Sequence, residues 1–136
     1  MSYLDKIPDG ATVYIVDASL PISNMKALMA RCDVHWIDHH DIPIKESLND
    51  PIVSSCQGIR KMEAEAACEL TWQYLFPEEP VPPAVTALGR FDAWDQKYFP
   101  DVLIFDMWVK SQNARLSDTT MPFWMNLFKM KQGEVQ

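Results

Sequence analysis

The chain has 136 residues, 48% of them hydrophobic and 23% charged, with a formal net charge of -7: ordinary values for a globular protein, and enough length for one domain with one core. The acidic balance excludes an extended basic surface for nucleic acid, but not a nucleotide in a metal-lined pocket, where the ion supplies the positive charge; it also suits basic patches on partner proteins. Cys32, Cys56 and Cys68 are odd in number and lack a CxxC spacing, which fits reduced thiols in a cytoplasmic setting; no run reaches membrane-spanning length, and "MSYLDKIPDG" has neither the basic start nor the apolar core of a signal peptide.

In chain order, Asp9-Gly10 is turn chemistry, and Thr12 to Val16 is a β-branched and aromatic run that fits a strand of a parallel sheet. "LPISNMKALMARC" reads as a helix with Pro21 near its start, and Met25, Leu28, Met29 and Cys32 recur at helical spacing as core positions. "DVHWI" is a second strand, so the first forty residues read as a βαβ unit with a right-handed crossover. "IPIKESLNDPIVSSCQGI" reads as a loop-rich connection with an edge strand at Ile52–Ser54. "MEAEAACELTWQYLF" reads as a helix stopped by Pro77, with Cys68 a buried thiol on its apolar face. "PVPPAVTALGRFDAW" reads as a further helix carrying Asp92 and Asp95 near its end. "VLIFDMWVKSQNA" and "MPFWMNLFKM" read as two helical segments of an aromatic tail, and "KQGEVQ" as a frayed end.

The chemistry concentrates in "VHWIDHHDIP", where an apolar strand ends in Asp38-His39-His40-Asp41. Ligands of open α/β sheets collect at the carboxyl ends of strands, and Asp17 and Asp38 both stand there. Beyond a strand end the alternation of side chains relaxes, so one imidazole is free to bind metal and the other to face a phosphate, while Asp38 orients a ring. Asp17 and Asp92 are the distant carboxylates best suited to share the ion. A mixed Asp/His set suits Mn²⁺ or Mg²⁺ better than structural zinc. Each feature has an ordinary alternative: a surface His pair, a helix cap at Asp17, a solvated helix face at Asp92 and Asp95. His35, inside the strand, reads as structural.

"IVDAS", followed some twenty residues on by "IDHH", resembles motifs II and III of the DHH phosphoesterase family, and "EAACELTWQYLFP" and "ALGRFDAWD" resemble its small phosphohydrolase-like members. The family includes RecJ-type exonucleases, oligoribonucleases, cyclic-dinucleotide phosphodiesterases and family II pyrophosphatases. The resemblance spans residues 8–96 of a single 1–136 domain, with 97–136 as a helical, aromatic-rich tail. It implies an α/β fold, a truncated doubly wound and mostly parallel sheet with flanking helices. It implies Asp17, His39 and Asp92 as metal ligands, with Mn²⁺ or Mg²⁺ as cofactor, Asp38 and His40 as catalytic residues, and His40 on the phosphate. Arg90 is assigned to phosphate from its charge and position.

The family's motif I, a His-x-x-x-Asp-x-Asp-like cluster, is not found ahead of the first strand; Asp5 and Asp9 lack its spacing and have no accompanying His. Its strand is usually central, which implies a homodimer or another protein to cover its place. The expected function is therefore a DHH phosphoesterase-like chain, catalytically impaired alone, that acts by protein binding, for instance as an inhibitor encoded by a phage or mobile element. The alternative is a metal-dependent phosphodiester hydrolase of nucleotides or short oligonucleotides, completed by a partner or a dimer.

Overall fold

The computed structural model describes residues 3–62, 65–95, 101–113, 115 and 117–131. They form two compact units, Met1–Glu63 and Ala64–Gln136. The fold class is mixed α/β, with a small parallel sheet and seven α-helices among the described residues. None of these helices is long and apolar enough to cross a membrane.

The first unit opens with a 3₁₀ turn at Tyr3–Lys6 and continues through β1 (Thr12–Val16), α1 (Ile22–Met29), β2 (Asp33–Ile37), α2 (Asp41–Ser47) and α3 (Pro51–Ser54). β1 and β2 pair in parallel, from Thr12 opposite Asp33 to Val16 opposite Ile37. This is the expected βαβ unit, and both strands keep the bounds read from their apolar runs. One sheet face builds the core: Val34 and Trp36 lie buried with Met25, Leu28, Ile44, Val53 and Cys56, and Val13 and Ile15 pack against them. Each such side chain contributes about 1.5–3 kcal/mol when fully buried. On its other edge β2 is held by the segment after α3. Trp36 N–H donates to the Gln57 carbonyl (2.8 Å), Asp38 N–H to that of Ile59 (3.1 Å) and Lys61 N–H to that of Asp38 (3.1 Å).

One expectation needs correction. The connection from Ile42 to Ser54 carries α2 and α3, joined by a turn, and contains no edge strand. Asp50 caps α3 by accepting from the N–H groups of Ile52 (3.0 Å) and Val53 (3.2 Å), with Pro51 in the first turn. That local cap, with Val53 fully buried, outweighs the strand preference of Ile-Val. The sheet has two parallel strands among the described residues, and single parallel bridges at His35–Gln57 and Asp38–Arg60 add to it.

The second unit is helical: α4 (Ala67–Leu75), α5 (Pro83–Asp92), α6 (Asp101–Ser111) and α7 (Met121–Phe128). α7 lies within the stretch read for it and α6 starts one residue ahead of its own, at Asp101; residues 96–100, Ala114 and the last five residues fall outside those described. Ala84, Phe105, Val109 and Leu127 form the core, with Leu88, Phe123 and Trp124 against it. α4 starts later than its composition suggests, at Ala67. There the buried Glu69 reaches back to the Ala66 N–H (3.3 Å) and sets the first turn. Cys68 is exposed rather than buried, since it points off the face that Ala67 and Leu70 bury. Its sulfur still lies 3.7 Å from the Val85 carbonyl. Desolvation there, with the Glu69 and Asp92 charges nearby, pushes the thiol up to about 11, so it stays protonated and inert at neutral pH.

Gly58 has φ +115°, and a Cβ there would lie 2.1 Å from the Trp36 carbonyl oxygen. The Gly58→Ala substitution is expected to cost about 1–3 kcal/mol from backbone strain alone, and more from the displacement of β2; urea unfolding measures it. Burial raises the Glu69 carboxyl above its ordinary range. A group with a raised folded-state pKa favours the native chain most below its unfolded pKa, and that contribution is lost as pH rises through the folded value. Glu69→Gln, which does not titrate, is therefore expected to gain stability relative to the native chain as pH is raised from the carboxylate range to neutrality. Urea midpoints across that range check the sign.

Candidate metal centre

Asp17 follows β1 with φ +54°, in the left-handed region that Asp and Asn adopt more readily than other side chains. Its N–H donates to the Ile37 carbonyl (3.0 Å), the last rung between the strands. The chain then turns away, and Trp36 Nε1–H holds the turn by donating to the Ala18 carbonyl (2.8 Å). The result sets the Asp17 carboxylate at the carboxyl end of the sheet, against the residues that follow β2. Asp17 Oδ1 lies 3.2 Å from His39 Nε2 and 4.0 Å from His40 Nδ1. The two imidazole centroids are 4.6 Å apart, with the rings tilted by 60°.

Asp38 braces this corner from within the protein. It is 0% exposed. Its Oδ1 accepts from the His39 N–H (2.8 Å), the His40 N–H (3.3 Å) and His40 Nδ1 (2.7 Å). A carboxylate only accepts, so Nδ1 of His40 carries a proton and Nε2 of the neutral ring keeps its lone pair. The other oxygen, Oδ2, is buried with no hydrogen-bond partner. An unpaired buried carboxylate oxygen is costly unless a positive charge stands near it.

Asp17, His39 and His40 each offer one ligand atom, and these atoms lie within 4.8 Å of one another. One carboxylate oxygen and two imidazole nitrogens, backed by a buried carboxylate with one unpaired oxygen, fit a single small divalent cation whose remaining positions are filled by water or substrate.

The structure thus brings together four of the residues singled out in the sequence: Asp17, Asp38, His39 and His40. Asp92 and Arg90 belong to the second unit. Asp92 is the exposed last residue of α5, and Arg90 is engaged by Asp95 at 2.7 Å. His35 is structural as expected, stacked on Tyr14 (centroids 4.7 Å apart) with Nε2 3.1 Å from the Asp33 carboxylate. Sequence reasoning missed Arg60, which covers the Trp36 ring (5.4 Å) and donates to the carbonyls of Trp36 (3.3 Å) and Cys56 (2.8 Å). No periodicity in "QGIRK" marks it; Gly58 beside it is the one available hint. Comparison with known proteins finds no matching family model, no matching curated protein and no matching solved structure.

Asp38→Ala leaves two backbone N–H groups and a ring donor without their acceptor, and it is expected to cost on the order of 3 kcal/mol. Asp38→Asn keeps one acceptor oxygen and removes the buried charge. It should therefore unfold at a urea concentration close to or above that of the native chain when a chelator is present. Urea titration of the two variants checks this ordering.

Proposed function

We propose that the chain is a DHH phosphoesterase-like domain that binds one Mn²⁺ or Mg²⁺ ion at the carboxyl end of its sheet and engages a phosphate ester there, with feeble hydrolysis as a lone chain. The convergence of Asp17, His39 and His40 over the buried, half-satisfied Asp38 carries this reading. It draws the finer fold, a truncated doubly wound DHH-type domain, from the sequence resemblance and from the parallel βαβ unit. Asp17 and His39 hold the ion. Asp38 fixes the tautomer of His40 and so aims its Nε2 outward. The resemblance sets His40 on the phosphate side of the ion. The left-handed backbone at Asp17 presets its carboxylate, so little reorganisation is needed on binding.

When bound, the ion supplies Lewis-acid stabilisation of the phosphoryl oxygens and a more acidic water. Two ions held close together need more oxygen ligands than this corner provides. The substrate class is a nucleotide or short oligonucleotide, since a net charge of -7 gives no grip on a long polyanion. A second reading, protein binding without catalysis, draws on the second unit. An apolar cleft of about 660 Å³ there is walled by Trp72, Phe76, Val81, Pro82 and Phe128, and Ile104, Met107 and Trp108 lie exposed on α6.

Calorimetric titration with Mn²⁺, followed by assay of pApA hydrolysis, separates the two. About one ion per chain is expected, with affinity falling at least tenfold in His39→Ala and in Asp17→Asn, which keeps the backbone conformation. Slow, Mn²⁺-dependent turnover that disappears in His39→Ala supports the metal reading. No heat of binding and no turnover at high protein concentration would leave protein binding as the function.

A further inference from the structure

We infer that β1 is a self-complementary edge through which two copies of this chain join their sheets, antiparallel, about a two-fold axis at Tyr14. The backbone decides which groups are free. The Ala11 carbonyl accepts from Asp33 N–H (3.0 Å), and Asp17 N–H donates to the Ile37 carbonyl (3.0 Å). Odd-numbered residues of β1 therefore bond to β2, and Thr12, Tyr14 and Val16 turn their N–H and C=O groups to the opposite edge. Among the described residues β1 has one neighbouring strand, β2, and nothing pairs with that outer edge. The side chains there are open too, with Tyr14 50% and Val16 38% exposed. Edge strands are normally protected by lysine, proline or a bulge. "TVYIV" carries no charge and no proline, and its pairing with β2 is regular from end to end.

The symmetry of the edge selects the occupant. Set antiparallel to a second copy, Tyr14 stands opposite its own counterpart and Thr12 opposite Val16, and every outward N–H and C=O finds a partner. A parallel pairing about a two-fold axis does not achieve this: the axis sets each outward residue opposite its own counterpart, whereas a parallel ladder needs each bonding residue opposite a non-bonding one. Charge selects the register. With Tyr14 central, Asp17 faces Ala11 and Asp9 faces Ser19 of the second copy, so no like charges meet. A slip of two residues in one direction sets Asp17 against Asp9 at both ends of the ladder. A slip in the other direction strands outward groups at Thr12 beyond the turn at Asp17. The stack of Tyr14 on His35 fixes the central side chain before association, which lowers the entropy of docking. The contact between two short strands is smaller than a standard interface, so the dimer is weak and concentration-dependent. It also keeps the two metal corners apart: the Asp17 residues are six positions distant along the ladder, roughly 20 Å. The pairing therefore stands whether or not the proposed function does.

Sedimentation equilibrium of the full chain tests it. Between micromolar and sub-millimolar concentration the mass is expected to rise from 15.6 kDa toward twice that value, with or without chelator. Tyr14→Lys and Tyr14→Glu each place like charges opposite one another on the axis and should stay monomeric, while an equal mixture of the two should form a heterodimer. Tyr14→Pro removes an outward N–H without touching the pairing to β2, and it should also be monomeric. Circular dichroism confirms that each variant is folded, and if one is not, the others carry the test. A native chain that stays at 15.6 kDa throughout, a folded Tyr14→Lys that dimerises like the native chain, or a mixture that fails to pair would overturn the inference.

Discussion

The corner at the end of β2 depends on one buried carboxylate. Asp38 Oδ1 gathers two consecutive backbone N–H groups and an imidazole N–H, and so determines both where the chain goes after the strand and which nitrogen of His40 faces outward. A strand that ends in a buried Asp is expensive. The cost is reduced by hydrogen bonds on one oxygen and left uncompensated on the other. Simple structural needs are better met by Asn or Ser at such a place, which would satisfy the same donors without a buried charge. A full carboxylate with one unpaired buried oxygen beside two imidazoles is the physical reason to look for a cation there.

The rest of the first unit serves that corner. The apolar face of the sheet anchors β1 and β2 on α1 and α3, which sets the two strand ends side by side. Trp36 contributes twice, through its buried ring and through the Nε1–H that pins Ala18 and forces Asp17 into its left-handed turn. Gly58 lets the following segment pass close to the Trp36 carbonyl, so that Ile59 and Lys61 clasp the backbone of Asp38 on both sides. Packing thus becomes ligand geometry through a short chain of named contacts.

Legibility from sequence followed the range of the interactions. "TVYIV" and "DVHWI" announce strands because their neighbours, a turn and an amphipathic helix, leave no competing structure, and both keep the bounds read for them; only β2 is buried, whereas the apolar run of β1, which suggests cover on both faces, leaves Thr12, Tyr14 and Val16 exposed. The Ile52–Ser54 segment misleads because its strand propensity is overridden by the capping carboxylate of Asp50, one residue outside the run. The start of α4 misleads similarly: Ala and Glu from Met62 onward favour helix, but the Glu69 carboxyl stops it at Ala67 by binding the Ala66 N–H. At the site, the DHH run and the strand-end aspartate are visible as residue types. The positive φ of Asp17 and the bracing by Arg60 arise from tertiary contacts that no local pattern encodes.

The account turns on whether imidazole nitrogen from this corner binds a divalent ion. Pulsed electron paramagnetic resonance of Mn²⁺ added to the chain reads that bond directly. The expected spectrum carries ¹⁴N coupling from a bound imidazole, present in the native chain and weakened or lost in His39→Ala. A spectrum indistinguishable from that of the hydrated ion would contradict the account and leave Asp38 as a purely structural brace.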